Sequence, residues 1–399
     1  MRMNRREFVE SASLSAVGAV LWPNQSLFAE INGERHPELA RHKIVKAELN
    51  EIRYSWPRFV GKNAKKGPLG HGRKSQILKL YTDQGAQACG ISNISVEALL
   101  PDIIGKKVSG LISPESGSVP GIDNHIDFAL YDLMGIILDQ PVYKLLGANG
   151  TRKTPVYSGM IYFDELGPKD EPLGIDNILK NCQWDYDYGY RQLKVKIGRS
   201  GKMYSHDKGL AKDIEVVRAI HEEFKCKGVD ILVDSNDMYS YQDTLDFLTR
   251  VGDIPIFWVE EPFEENLKLG RDLRQWMDQN GFKNTYYGDG EGSSNFDTCM
   301  GMADEGILDV YQADLLRYGF TNWVKLMPQL KKKKTLASPH TFGDLMKTNC
   351  SAHLAAGFGN VITIEGVTCF CDEMDYGDYK IENGKLIVSD QPGFGMKLL

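Results

Sequence analysis

The chain has 399 residues, 42% of them hydrophobic and 25% charged, with a formal net charge of −7. That is ordinary globular composition with enough apolar material for two domains, one of which could be a barrel of about 250 residues. A mildly acidic chain with no broad basic face excludes nucleic acid as an expected partner. Seven scattered cysteines without a CxxC pair exclude a disulfide framework and a zinc site.

In chain order, Arg5 and Arg6 precede Glu7-Phe8, a modest apolar stretch from Ala12 to Trp22, and Ser26-Leu27-Phe28-Ala29. This resembles a twin-arginine export signal. Residues 1–35 are therefore set apart from the fold, and export to the periplasm is expected, with a cytoplasmic location as the alternative. The stretch is too short for a stable bilayer anchor, and no other segment is longer, so no membrane span is expected. Residues 43–54, with Ile44, Val45, Ala47, Leu49 and Ile52, alternate partly and predict a strand. Trp56 to Lys74 is polar, glycine-rich and basic, holding Arg58, Lys62, Lys65, Lys66, His71 and Arg73. It reads as a long loop able to serve as a lid. Gln76–Tyr81 predicts a second strand. The spacing of Ile126, Phe128, Ala129, Leu130, Leu133, Ile136 and Ile137 predicts an amphipathic helix over Ile122–Leu146, with Pro141 opening a short second piece. These elements make an α+β unit over 43–150.

From about 153 the rhythm changes. Short apolar runs at Pro155–Met160, Gln192–Ile197, Asp230–Val233, Phe257–Val259, Thr285–Tyr287, Val310–Gln312, Thr335–Ala337 and Val361–Ile364 each precede a helical segment. Eight such alternations predict an α/β fold, a (β/α)8-type (TIM) barrel over 151–370. Lys331 to Lys334 reads as a solvated helix end, and Cys369 with Cys371 as buried packing on one face of a strand. Residues 371–399, with the turn signal Glu382-Asn383-Gly384, are expected to pack back on the first unit.

The carboxyl ends of the runs carry polar residues: Lys194 and Lys196, Asp234 and Asn236, Glu260, Glu291, Asp314, His340 and Glu365. Each set follows the previous one by a strand plus a helix, so in a barrel they converge at the face where active sites are built. Asp234, Glu260 and Glu291 would come from three neighbouring strands. Three carboxylates that close repel unless a hard cation neutralises them, which makes one Mg2+ the expected cofactor. Lys194 and Lys196 alternate, so they share a face. Two ammonium groups near a divalent cation should have depressed pKa values, making one lysine a usable general base. Asp314 on the strand before His340 would fix the imidazole tautomer and raise its basicity.

Taken together, Lys194-Val-Lys196, Val233-Asp-Ser-Asn236, Trp258-Val-Glu-Glu-Pro262, Gly290-Glu291, Asp314 and His340 resemble the mandelate racemase branch of the enolase superfamily. Ala129-Leu-Tyr-Asp-Leu-Met-Gly135 followed by Pro141-Val-Tyr-Lys-Leu-Leu-Gly147 looks like the end of that family's N-terminal capping domain. The resemblance covers nearly all of the chain beyond the signal. It implies Asp234, Glu260 and Glu291 as metal ligands, Lys196 as the base, and Lys194 as its cationic neighbour. It also implies His340 with Asp314 as the second acid/base group, and Glu365 as a protonated carboxyl that hydrogen-bonds a substrate carboxylate. The run Gly288-Asp-Gly-Glu-Gly292 leaves Asp289 as an alternative to Glu291, and Glu261 stands beside the ligands. Asn236 and Tyr162 are the candidates for substrate contact. The expected reaction is removal of the proton next to a carboxylate, leading to dehydration of a sugar acid to a 2-keto-3-deoxy acid. Racemisation, epimerisation or cycloisomerisation on the same site is the alternative, and carboxylate binding without turnover a more distant one. A homo-oligomer is expected from the resemblance.

Overall fold

The computed structural model describes residues 25–200 and 204–399. The paired arginines and the apolar stretch of the expected export signal lie outside the described residues. Helices α1 (Gln25–Arg35) and α2 (Pro37–Arg41) come first. Asn32 Nδ2 donates to the carbonyls of Ser109 (2.6 Å) and Ile112 (2.7 Å), which ties α1 to the capping domain. Next are the antiparallel strands β1 (Ile44–Val60), β2 (Gly70–Thr82) and β3 (Gln87–Ser92). The expected lid is therefore mostly two strand arms, with only residues 61–69 between them. The arms form because Ile77, Ile52 and Tyr54 bury one face against the core, and strand pairing satisfies the backbone of the polar tip.

After a two-stranded hairpin, β4 (Ile112–Ser113) with β5 (Gly117–Ser118), comes α3 (Asn124–Ile137), N-capped by Asp123, and then α4 (Val142–Leu145). The helical region is thus two pieces, divided at Pro141 as expected. Yet α3 is not amphipathic in its setting, because every residue from Ile126 to Gly135 is buried. One face meets the sheet so closely that a Cβ on Gly90 would lie 2.2 Å from the backbone nitrogen of Ala129. Another face meets the C-terminal tail, where Asp132 accepts from the Phe394 amide (2.7 Å) and the Cys89 amide (2.9 Å).

The barrel runs β6 (Lys153–Ile161), α5 (Ile175–Tyr188), β7 (Gln192–Lys196), α6 (His206–Phe224), β8 (Asp230–Asp234), α7 (Tyr241–Arg250), β9 (Ile256–Glu260), α8 (Leu267–Gln279) and β10 (Tyr286–Asp289). It continues with α9 (Phe296–Asp304), β11 (Val310–Tyr311), α10 (Leu315–Tyr318), α11 (Phe320–Lys333), β12 (Leu336–Ala337), α12 (Leu345–Phe358) and β13 (Ile364–Gly366). The strands pair in parallel in chain order. An Ala337–Val361 bridge and the β13–β6 pairing close the ring. Lys331–Lys333 form the last turn of α11, where cations suit the helix dipole. The tail adds β14 (Met374–Asp375), the hairpin β15 (Lys380–Glu382) with β16 (Lys385–Ile387), and β17 (Lys397–Leu398). β16 pairs with the start of β6, and β14 with β17. All seven cysteines are free; Cys369 is buried and Cys371 half-buried, and neither sits in a strand. Among the described residues no helix is long and apolar enough to cross a membrane.

Candidate active site

The strand register sets the site. Lys196 pairs with Asp234 across β7–β8, Asp234 with Glu260 across β8–β9, and Glu260 with Gly288 across β9–β10. The ends of three strands therefore lie at one level, with their functional side chains inside the mouth. Glu291 reaches the same place by another route. It lies beyond the end of β10, between Gly290 (φ +120°) and Gly292 (φ +73°). At Gly290 a Cβ would stand 2.7 Å from the Tyr311 ring, so only glycine permits that turn. Oxygens of Asp234, Glu260 and Glu291 lie within 4.8 Å of one another. Asn236, Asp237 and Glu261, just past β8 and β9, all have positive φ (+48°, +58° and +42°). Non-glycine residues hold that conformation only where their surroundings over-determine it, as at functional sites.

Asp289 belongs elsewhere. It is buried, accepts from the Tyr287 hydroxyl (3.3 Å), and groups with Glu265 and Cys299. Geometry thus groups Glu291, and not Asp289, with Asp234 and Glu260. Glu261 is buried beside the trio, and burial together with Glu291 and Asp234 pushes its carboxyl well up. Asn236 Nδ2 donates to Glu261 (3.3 Å), and Asn236 Oδ1 accepts from Asn63 of the β1–β2 connection (2.8 Å). Asn236 therefore spends its amide tying the capping domain to the strand ends. The Tyr162 ring lies 5.5 Å from Lys196 Nζ and 5.3 Å from the Phe342 ring, which places it on the wall beside the lysine.

Lys194 Nζ donates to Glu260 Oε1 (2.7 Å) and lies 3.1 Å from Glu365 and 3.5 Å from Asp234. Lys196 Nζ donates to Asp234. The expectation of depressed lysine pKa values depends on a nearby cation, and the protein groups by themselves act the other way. Burial alone would lower both, but Glu260 and Glu365 around Lys194, and Asp234 beside Lys196, push them well up. Burial would raise Asp234, yet the two ammonium groups hold it below the usual carboxylate range. Glu260 goes the other way, raised by burial and by its neighbour Asp234.

The residues fit a divalent cation on one observation above the others. Glu260 Oε2 and Glu291 Oε2 are both shielded from solvent with no hydrogen-bond partner. Buried carboxylate oxygens are costly when left bare. Three converging oxygen donors, two of them open, are the ligand set of a hard cation with room for further ligands.

On the opposite flank, His340 Nδ1 meets Asp314 Oδ2 at 2.9 Å, and an isolated Asp314–His340 bridge sets the two side by side. His340 Nε2 lies 3.3 Å from Glu291 and 3.6 Å from Glu365. The groups around Glu365 act against the expected protonated acid. Burial would raise it, but Lys194 and His340, together with the Thr341 amide at 2.7 Å, pull it down to about 2. Its two oxygens link Lys194 to His340 across the mouth. Three basic residues of the expected lid are engaged away from the trio, whereas Lys65 pairs with Asp237 next to Asn236. Arg58 is buried against Asp185 (2.7 Å), Lys62 pairs with Asp170, and Arg73 donates to the Phe342 carbonyl (3.3 Å).

Sequence reasoning passed over Lys347, which is buried on α12 with its Nζ 3.2 Å from Asp314 Oδ2. A signal was present: it is the one Asp, Glu, Lys or Arg between Leu345 and Phe358.

A closed parallel barrel that gathers three acids, two lysines and an Asp–His pair at the carboxyl ends of its strands defines an enzyme that removes a proton next to a carboxylate with help from a metal. The family model "Enolase C-terminal domain-like" matches residues 178–399, and the chain belongs to that family. Arabinonate dehydratase from Saccharolobus solfataricus is 27% identical over 285 residues, 70% of this chain and 69% of that one. N-succinyl-L-Arg/Lys racemase from Bacillus cereus is 25% identical over 244 residues, 50% of this chain and 61% of that one. The galacturonate dehydratase structure from Geobacillus sp., complexed with D-galacturonate and 5-keto-4-deoxy-D-galacturonate, superposes with a TM-score of 0.83 at 28% identity, covering 90% of this chain and 95% of that one. A variant of that enzyme is complexed with Mg.

Proposed function

We propose that this chain is a Mg2+-dependent dehydratase of sugar acids. The observation that carries the reading is the convergence of Asp234, Glu260 and Glu291, with two bare oxygens, beside Lys196. These three would hold the cation. Bound there, it supplies a fixed positive charge that acidifies the C–H next to a substrate carboxylate.

The chain's own residues do the rest. Charge committed on the three acids relieves the pull that keeps a proton on Lys196, which can then act as a base. Lys194 stays cationic, held by Glu365, and faces developing negative charge. His340, oriented by Asp314 and acting as an imidazolium, presents Nε2–H from the other flank and delivers that proton to the departing β-hydroxyl. The α-proton leaves to the base, the hydroxyl leaves as water, and the enol becomes a 2-keto-3-deoxy acid. The balance is loss of one H2O with no redox change. The dehydratase relatives support this outcome. Two proton-transfer groups on two flanks also suit racemisation, and the Bacillus racemase relative keeps that second reading in view.

The test incubates aldonic and uronic acids, D-galacturonate included, with the protein and Mg2+ in heavy water. A keto-deoxy product that disappears with EDTA is expected. Deuterium at the α-carbon without keto product would overturn dehydration in favour of racemisation or epimerisation.

A further inference from the structure

We infer that Lys347 is a positioning residue that holds the Asp314–His340 pair in its working orientation. The inference rests on reading His340 as a proton-transfer group. Asp314 is fully committed: Oδ1 accepts the Arg317 amide (2.9 Å), and Oδ2 is shared between His340 Nδ1 (2.9 Å) and Lys347 Nζ (3.2 Å). Asp314 is the acid with which Lys347 forms an ion pair among the described residues.

The placement runs against helix electrostatics. Lys347 is in the first turn of α12, where the backbone end is already positive, and its ammonium is buried. The remaining thirteen residues of the helix carry no acid, lysine or arginine. The cost is offset at one point, the Asp314 oxygen that also holds the imidazole.

The turn carrying Lys347 is itself anchored. Asp344 caps α12 through the Met346 amide (2.9 Å), and also accepts the Tyr54 hydroxyl (3.0 Å) and the Ser75 hydroxyl (2.7 Å) from the capping domain. Lys347 is thus a fixed cation that holds the Asp314 oxygen meeting His340 Nδ1. That keeps a proton on Nδ1 in the neutral imidazole and the imidazolium alike, and leaves Nε2 facing the site. It also offsets the Asp314 charge beside Glu291 and Glu365.

The experiment uses the full chain loaded with Mg2+, as wild type, Lys347→Met, Asp314→Asn and the double variant. Turnover is measured on D-galacturonate or whichever acid of the screen reacts. Imidazole nitrogens are read by NMR on 15N-histidine protein, with His340 assigned by its loss in His340→Asn. Lys347→Met should lower kcat by at least about tenfold with KM within about threefold. It should add nothing further on top of Asp314→Asn. It should also replace a single His340 tautomer by a mixture. An unchanged kcat, additive losses or an unchanged tautomer would each overturn the inference. Should the neutral side chain not fold, Lys347→Arg decides. A retained tautomer with kcat near wild type supports the assignment, and a loss as deep as that of Asp314→Asn overturns it. If wild type converts no acid, the functional reading falls, and the tautomer measurement still decides the role of Lys347.

Discussion

Asp289 and Glu291 are two residues apart, and on a regular strand they would face the same way. Gly290, at φ +120°, breaks that alternation and sends one acid toward Glu265 and Cys299 and the other into the trio. The distinction can be measured by calorimetric titration with Mg2+. Glu291→Gln should weaken binding by more than about a hundredfold, and Asp289→Asn by less than about tenfold, using the loss from disturbing an outer contact as the yardstick. A larger loss at Asp289 would exchange the two roles. Arg58 shows the reverse error at the same scale. Its composition reads as part of a basic lid, but it is buried against Asp185, which also accepts the Ser158 (2.6 Å) and Thr368 (2.8 Å) hydroxyls. Nothing in its neighbours along the chain announces a partner that lies 127 positions away.

Among the elements, α3 shows how periodicity can be read correctly and still mislead. The apolar spacing marks the face that meets the sheet. The other face carries Asp127, Tyr131 and Asp132, which are buried because Ser118, Thr321 and the Phe394 amide supply their hydrogen bonds. At the sheet side the contact is backbone to backbone. Gly90→Ala would put a Cβ 2.2 Å from the Ala129 nitrogen, and a helix backbone cannot yield as a side chain can. We expect a stability loss of about 1–3 kcal/mol, the usual cost of overpacking. Thermal unfolding of the variant checks it, and an unchanged Tm would refute the close approach. The barrel strands were legible because they are short and apolar, and each of the first seven is followed by a helical segment. The β1–β2 arms were not, since pairing with a neighbouring strand, and not apolar alternation, shapes their polar ends.

Over the whole molecule, α12 joins the capping elements to the tail through His353. Its Nδ1 accepts the Tyr143 amide (3.0 Å) from α4, and its Nε2 meets the Tyr379 hydroxyl (2.6 Å) from the tail. Burial holds its pKa down at about 3, from an ordinary 6.5, so the folded protein keeps it neutral. A base whose pKa falls on folding gives stability that is complete above 6.5 and is lost progressively as pH falls toward 3. From pH 6.5 to 5 the loss from this one group is about 2 kcal/mol. Denaturation of wild type and His353→Gln at pH 7 and 5 should show a flatter pH response in the variant, and equal slopes would remove His353 from the acid sensitivity.

What the sequence determined by itself is the barrel and the chemistry at its mouth. Strand ends recur at unit spacing, and side chains at the ends of parallel strands must converge wherever the ring closes. Asp234, Glu260, Lys196 and His340 could therefore be placed without coordinates. What only the tertiary structure decided is the state and company of those groups. Glu365 is drawn down and Lys196 pushed up by charges brought from other strands. Lys347 reaches Asp314 from a helix 33 positions later in the chain. Electrostatic energy depends on distance through space and on burial, and neither quantity is written along the chain.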